Sequence, residues 1–246
     1  MAAESRRDAV RSSLLWDVLR EVASARTAET GRTALDIVDV GGGTGGLAVR
    51  FAALGHNVTV VDPSPDALAA AQRRAAEAGA RLAAVQGEAA SLDGVAGVAA
   101  ADLVICHSVL EYVDSPADAM TAIARVLRPC ATVSVLASNA VAAVLNRAMA
   151  GRFAEAKRLL LSGRAGGFPA PAGRRFTLPE LTALIEGAGL RAGQAHGVRI
   201  FTGLVPAALV DGDPGSAEAL RALEAAAAGT PPLRDIAAQL HILGHR

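Results

Sequence analysis

The stretch ALDIVDVGGGTGG, residues 34–46, decides the fold, because a short apolar run there gives way to a cluster of glycines. Such a run bounded by glycine reads as a buried strand, and the pattern after it, through Ala53, is helical. HNVTVVD (56–62) reads as the next strand, which closes one β-α-β unit. Glycine tolerates positive φ and carries no Cβ, so the turn lets the backbone approach a ligand closely. The same residues satisfy two patterns. Gly41, Gly43 and Gly46 match the G-x-G-x-x-G of dinucleotide enzymes, while Asp39, Gly41, Gly43 and Gly45 match the acidic-x-G-x-G-x-G of enzymes that use S-adenosylmethionine (SAM). Asp62, at the end of the second strand, can accept hydrogen bonds from both hydroxyls of a ribose and fits either cofactor. Asp39 separates them: a carboxylate repels a pyrophosphate and attracts the amino and sulfonium cations of SAM. Its alternative role is to cap backbone amides of the turn.

Outward from this unit the alternation continues. Pro63, Ser64 and Pro65 open a helix that ends near Gly79, RLAAVQG (81–87) and ADLVICH (101–107) read as strands, and Pro116 to Leu127 reads as a helix stopped by Pro129. ATVSVLAS (131–138) is a fifth strand. Strands alternating with helices imply a parallel sheet covered on both faces with right-handed crossovers. Before it, residues 8–25 place Val10, Leu14, Leu15, Val18, Leu19 and Val22 at helical spacing. After 139 the pattern predicts helix over 140–161, a Gly/Pro-rich loop over 162–176, and a helix over 177–189 with Thr177 and Glu180 as a capping box. A strand over 190–201, a helix over 216–228 and a last strand within 235–246 complete the chain.

The bulk numbers exclude several classes. With 246 residues and no compositional break, one domain is expected. Two cysteines, Cys106 and Cys130, provide neither a disulfide framework nor metal-ligand spacing, so no metal is expected. Zero net charge removes the overall positive field of proteins that bind nucleic acid by charge alone. No apolar run of membrane-spanning length occurs and no apolar region follows the first arginines, so the expectation is a cytoplasmic protein without a membrane partner. A nicotinamide-dependent oxidoreductase is a distant alternative. Lys157 is the only lysine, and no tyrosine stands four residues before it to make a Tyr-x-x-x-Lys pair.

The glycine turn, Asp62, ADLVICHSVLEYV and VLRPCATVSVL occur in the order of the class I SAM methyltransferases, which the chain resembles over about its whole length. More narrowly it is similar to the bacterial tRNA 5-carboxymethoxyuridine methyltransferase group. That similarity is carried by VRSSLLW (10–16), VDVGGGTGG, ICHSVLEYV (105–113), SNAVAAVLNRAMAGRF (138–153), GVRIF (197–201) and PPLRDIAAQLHILGHR at the end. The resemblance implies an α/β Rossmann-like class I methyltransferase fold, a mostly parallel seven-stranded sheet with helices on both faces and an antiparallel last strand. It implies one domain over 1–246: an N-terminal helical cap (1–30), a cofactor-binding core (31–139), a helical and loop insertion on the acceptor side (140–182) and a sheet-completing part (183–246). It also implies that Arg11 reaches the SAM carboxylate, that Gly41, Gly42, Gly43 and Gly45 pack against the amino acid portion, and that Asp62 binds the ribose. Glu88, Ala89 and Ala90 would flank the adenine, and His107 would lie next to the cofactor. The chain departs from the group in three places: Cys130 and Ala131 follow Pro129 where a Gly-Gly pair is usual, SGRAGGFPAPAGRR (162–175) replaces a lysine-rich stretch, and Ser138 stands where a tyrosine would precede Asn139.

Methyl transfer from SAM is a direct displacement, so a protein that catalyses it mainly aligns the partners. A hydroxyl or ammonium acceptor would gain from a base, for which His107 is the candidate. A carboxylate acceptor needs only orientation, and Arg199 in GVRIF is the candidate to hold it. CHSVLEYV lacks the (D/N/S)PP(Y/F) signature of enzymes that methylate exocyclic amines of bases. Residues 147–175 carry Arg147, Arg152, Lys157, Arg158, Arg164, Arg174 and Arg175 against Glu155, an arrangement that fits a tRNA-contacting edge and equally a solvated helix. The expected acceptor is a carboxylate of a modified wobble uridine in tRNA, with a small-molecule carboxylate or hydroxyl as the alternative.

Overall fold

The computed structural model describes residues 6–95, 98, 100–162, 173–206, 209–210 and 214–246; the side chains of 6–13 and 214 lie outside the description. Seven strands form one sheet in the order β3-β2-β1-β4-β5-β7-β6, from β1 (Asp36–Val40), β2 (Asn57–Asp62), β3 (Ala83–Gln86), β4 (Ala101–His107), β5 (Leu127–Ser138), β6 (Arg191–Val198) and β7 (Gln239–His245). Pairs among β1 to β5 are parallel, with Asp39 opposite Val60 on one side and Ile105 on the other. β7 runs the other way. Its Arg246 end exchanges backbone hydrogen bonds with Cys130 and Ala131, while Ala238 before it accepts from Asn139 after β5. The expected antiparallel last strand is therefore present.

The chain leaves β1 for β2 and β3 on one side and returns to β4 and β5 on the other. Such a reversal opens a crevice at the carboxyl ends of β1 and β4, where ligands bind in open α/β sheets. Ile37, Val38, Val40 and every residue from Ala101 to Cys106 are buried, as expected for strands covered on both faces.

Around the sheet stand α1 (Arg6–Thr30), α2 (Gly46–Ala53), α3 (Pro65–Glu77), α4 (Pro116–Val126), α5 (Ala140–Met149), α6 (Phe153–Ser162), α7 (Leu178–Gly187) and α8 (Pro214–Ala227). Local chemistry sets their starts. Ser64 and Ser115 accept from the backbone N–H groups of Ala67 and Asp118, each ahead of a proline in the first turn. The Thr177–Glu180 capping box forms as the sequence predicts, with the Thr177 N–H donating to Glu180 Oε2 at 2.7 Å. Two expectations change. Pro129 does not stop α4, which has already ended at Val126, and β5 passes through it. The helix expected over 140–161 is two helices, parted where Gly151 takes φ 72°.

By their contacts the described residues group into two compact units. The glycine-turn unit comprises 20–136, 181–193 and 242–246. Its foundation is the buried Asp102, which accepts from Arg26, Arg32 and Arg128 and from the Asp36 N–H, at 2.5–3.4 Å. The α5–α6 unit comprises 1–19, 137–180 and 194–241. There the buried Glu224 of α8 gathers the N–H groups of Ile200, Phe201 and Thr202 at 2.7–2.9 Å, together with the Thr202 hydroxyl. Consecutive amides aimed at one point form an anion-binding nest, and here the chain fills it with its own carboxylate.

Candidate cofactor cavity and active site

The glycine turn builds one wall of a cavity of about 480 Å³ in the glycine-turn unit. Gly41, Gly43 and Gly45 adopt φ 62°, 54° and 77°. A Cβ on Gly41 would lie 2.4 Å from Val109 Cγ2, so the turn requires glycine both in backbone angle and in space. The Gly41 N–H donates to the Val61 carbonyl at 2.7 Å, which ties the turn to the end of β2.

Asp62 lines the same cavity and is preset by two backbone donors, Gly43 N–H to Oδ2 and Ser64 N–H to Oδ1, each 2.9 Å. A carboxylate held this way keeps lone pairs on both oxygens for a vicinal diol. Glu88, Ala89 and Ala90, which the resemblance assigns to the adenine, line the cavity. Among the described residues, four carboxylates, Asp62, Glu88, Asp114 and Asp118, contribute to the lining and no lysine or arginine does. That set suits a ligand with cationic groups and opposes a pyrophosphate.

Asp39 plays a different part from the one its charge suggests. It is buried beneath the turn rather than in the cavity lining, and a Cβ on Gly42 would come within 2.7 Å of its carboxyl carbon. Burial raises its pKa to about 7, against the lowering effect of a hydrogen bond from the Ala48 N–H; the Asp62 charge raises it further. The backbone-capping role is the one the geometry displays. Gly42, Gly43 and Gly45 likewise shape the turn without lining the cavity.

His107 ends β4 next to Ser108, a lining residue, and shares a 2.8 Å hydrogen bond through Nε2 with Ser134 Oγ. Burial pushes its pKa down to about 3. The imidazole is therefore neutral at physiological pH and a weak proton acceptor, unlike a base tuned near 7. Arg199 follows β6 with φ 62°, and its carbonyl accepts from the Ala238 N–H at 3.2 Å. It belongs to the α5–α6 unit. The Arg11 side chain, and Arg164, lie outside the described residues. Among the described residues, no cluster of His, Cys, Asp and Glu could hold a metal ion, and no helix is long and apolar enough to cross a membrane.

Several lining residues escape a sequence reading: Ser108, Val109, Tyr112, Asp114 and Asp118. Ser108 takes φ 56°, a left-handed conformation that nothing local in CHSVLEYV announces. The Ser-Pro start of α4 was the available signal for the last two, because a capped helix N-terminus at the carboxyl edge of a sheet faces the crevice.

Comparison with known proteins agrees with this geometry. A family model described as a methyltransferase domain matches residues 38–135. The tRNA 5-carboxymethoxyuridine methyltransferase of Escherichia coli K12 is 31% identical over 150 residues, 58% of this chain and 54% of that protein. The mitochondrial ubiquinone biosynthesis O-methyltransferase of Schizosaccharomyces pombe is 32% identical over 121 residues, 48% of this chain and 42% of its own length. The chain thus spans about half the length of the curated relatives it matches. Magnesium protoporphyrin IX methyltransferase from Synechocystis, solved with S-adenosylhomocysteine (SAH), superposes with a TM-score of 0.61 at 14% identity, covering 96% of this chain and 85% of that one. At such identity the likeness concerns the fold. Together the turn, the acidic cavity lining and the matched span favour SAM over a dinucleotide: residues 38–135 match the model of a methyltransferase domain, in a chain that shares its Rossmann-like fold with that solved methyltransferase.

Proposed function

We propose that the chain moves the methyl group of SAM to a carboxylate of a modified wobble uridine in tRNA. The observation that carries the acceptor class is His107, whose Nε2 is engaged by Ser134 Oγ at 2.8 Å and whose pKa burial depresses, which makes it a poor base for an acceptor. A hydroxyl or ammonium acceptor must lose a proton during transfer, whereas a carboxylate is already ionised at pH 7. SAM supplies an electrophilic methyl carbon on a sulfonium. An acceptor carboxylate oxygen forms the new O–C bond as the C–S bond breaks, its electron pair goes to sulfur, and no proton moves.

The chain's residues have correspondingly modest tasks. Asp62 and Gly41 fix the nucleoside and amino acid portions, Glu88 to Ala90 border the adenine, and Arg11 is assigned to the SAM carboxylate. The acidic lining favours the cationic groups. Arg199 is assigned to the acceptor carboxylate, since a left-handed non-glycine residue is often retained where function requires its side chain placement. The basic residues of 147–175 supply phosphate contacts. The tRNA reading draws its support from the Escherichia coli relative.

Nucleoside mass spectrometry of tRNA from a strain lacking the gene tests this. Loss of the methyl ester, restored by the wild-type gene and not by Asp62→Ala, is the expected result. An unaltered modified-uridine profile moves the assignment to a small-molecule carboxylate or hydroxyl, the reading that the ubiquinone-pathway relative favours. Calorimetry with SAH and NAD side by side checks the cofactor, and tight binding of NAD alone would end the proposal.

A further inference from the structure

Helices α5 and α6 are built inside out. In an ordinary surface helix the large apolar side chains face inward and the small or charged ones outward. Here alanines are buried, Ala140, Ala142 and Ala143 on α5 and Ala156 on α6. Six of the eight large apolar side chains on the two helices are exposed, while Val144 and Leu159 are half-buried. On α6, Phe153, Leu160 and Leu161 are 71%, 58% and 52% exposed at i, i+7 and i+8, and exposed Lys157 shares their face at i+4. On α5, Val141, Leu145 and Met149 repeat the pattern at i, i+4 and i+8. Six of the eleven exposed large hydrophobic side chains among the described residues sit on these two consecutive helices. A concentration of that kind marks an interaction surface.

The surface encloses a cavity of about 370 Å³, walled by Val141, Val144, Leu145 and Leu160 and edged by Thr177 and Glu180. Glu180 Oε2 is held in place by the Thr177 N–H and hydroxyl at 2.7 and 2.9 Å. The cavity is thus apolar within and carries one fixed hydrogen-bond acceptor at its edge. Between 140 and 162 the chain has Arg147, Arg152, Lys157 and Arg158 against Glu155 alone, an excess of three positive charges (4 − 1) in a chain of zero net charge.

We infer that this α5–α6 face receives an unpaired stretch of RNA, with a base in the apolar cavity, Phe153 as a stacking surface and the cations on the flanking phosphates. The inference rests on the tRNA reading above and names the surface that reading requires. Apolar and aromatic surface for bases, cations for the backbone and an acceptor for a base N–H are the elements of single-strand recognition. A second copy of the chain would set an excess of three positive charges against another three. A bilayer would place Glu180 beside anionic headgroups.

Fluorescence anisotropy with a labelled twelve-residue oligouridylate, repeated with a tRNA anticodon stem-loop, tests the inference. The wild-type chain is expected to bind both, more weakly as salt rises. Phe153→Ala should weaken binding by roughly 5- to 100-fold, the span of base stacking on an aromatic ring. Lys157→Glu with Arg158→Glu should weaken it and flatten the log–log salt slope by about 1.4, for two single-strand phosphate contacts. Both variants should keep wild-type SAH affinity, which also reports that they fold. RNA affinity unchanged in both variants overturns the inference. So does failure of the wild-type chain to bind RNA while anionic vesicles capture it, or while it dimerises in sedimentation. RNA binding by this face together with an unaltered tRNA profile in the deletion strain would leave the face standing and remove the wobble-uridine reading. The converse pair of results would keep the reading and remove the face.

Discussion

The two units differ in where their ligand-facing groups and their exposed apolar side chains lie. In the glycine-turn unit, functional groups cluster in short spans: Asp39 to Gly45, Asp62 to Ser64, and Glu88 to Ala90 each form one strand end with its turn. In the α5–α6 unit large apolar groups of two consecutive helices face outward, while each unit buries a carboxylate, Asp102 or Glu224, that gathers donors distant in the chain. A cofactor shared by many enzymes can be held by a local motif, because the strand-turn-helix geometry already presents the amides and the cavity. An acceptor site has no such shared solution.

Removing one carboxylate from each unit gives the largest expected contrast. Glu224→Ala leaves three backbone N–H groups without their buried acceptor and should destabilise the fold by about 3–5 kcal/mol, read as a fall in the denaturant midpoint. Asp62→Ala should weaken SAH binding roughly 30- to 1000-fold by calorimetry, through lost hydrogen bonds to the ligand and a released Gly43 N–H. The comparison fails if Glu224→Ala weakens SAH binding as much as Asp62→Ala does at a temperature where both are folded.

A pH effect sharpens the contrast further. The folded Asp39 titrates at about 7, above its ordinary 3.8, so folding favours its neutral form. The stability this contributes is fully present below pH 4 and is lost as pH rises through 7. Asp39→Asn should therefore raise Tm relative to wild type at pH 8, and this gain should shrink as pH falls and vanish at about pH 3.5, below both pKa values. Equal shifts at both pH values would show that the Ala48 hydrogen bond, and not burial of charge, dominates at this position. The smallest effect is expected at Ser108, where glycine relieves a left-handed serine. Ser108→Gly should stabilise the chain by roughly 0.5–1 kcal/mol while SAH affinity changes little.

Much of the fold was legible because strands covered on both faces must be apolar and their connections carry glycine or proline. Seven strands and the capping box could be read directly, and the antiparallel run of the last strand followed from the family resemblance. The continuous helix over 140–161 misread Gly151, since one glycine inside a helical pattern does not reveal whether φ is positive. Asp39 shows the same limit for the site. Its place in the motif was plain, but whether its carboxylate met ligand or backbone depended on how tightly α2 packs onto β1.

Taken alone, the sequence determined the β-α-β units, the glycine turn, the place of Asp62 at the end of the second strand, and the excess of positive charge over 147–175. These are short-range patterns whose physical meaning survives without coordinates. Only the tertiary structure decided that His107 is neutral, that Ser108 is left-handed, that Glu224 fills the nest after Arg199, and that α5 and α6 turn most of their large apolar side chains to solvent. Each of those depends on burial or on groups far apart in the chain, and neither a composition nor a period of 3.6 records which face of a helix the rest of the molecule covers.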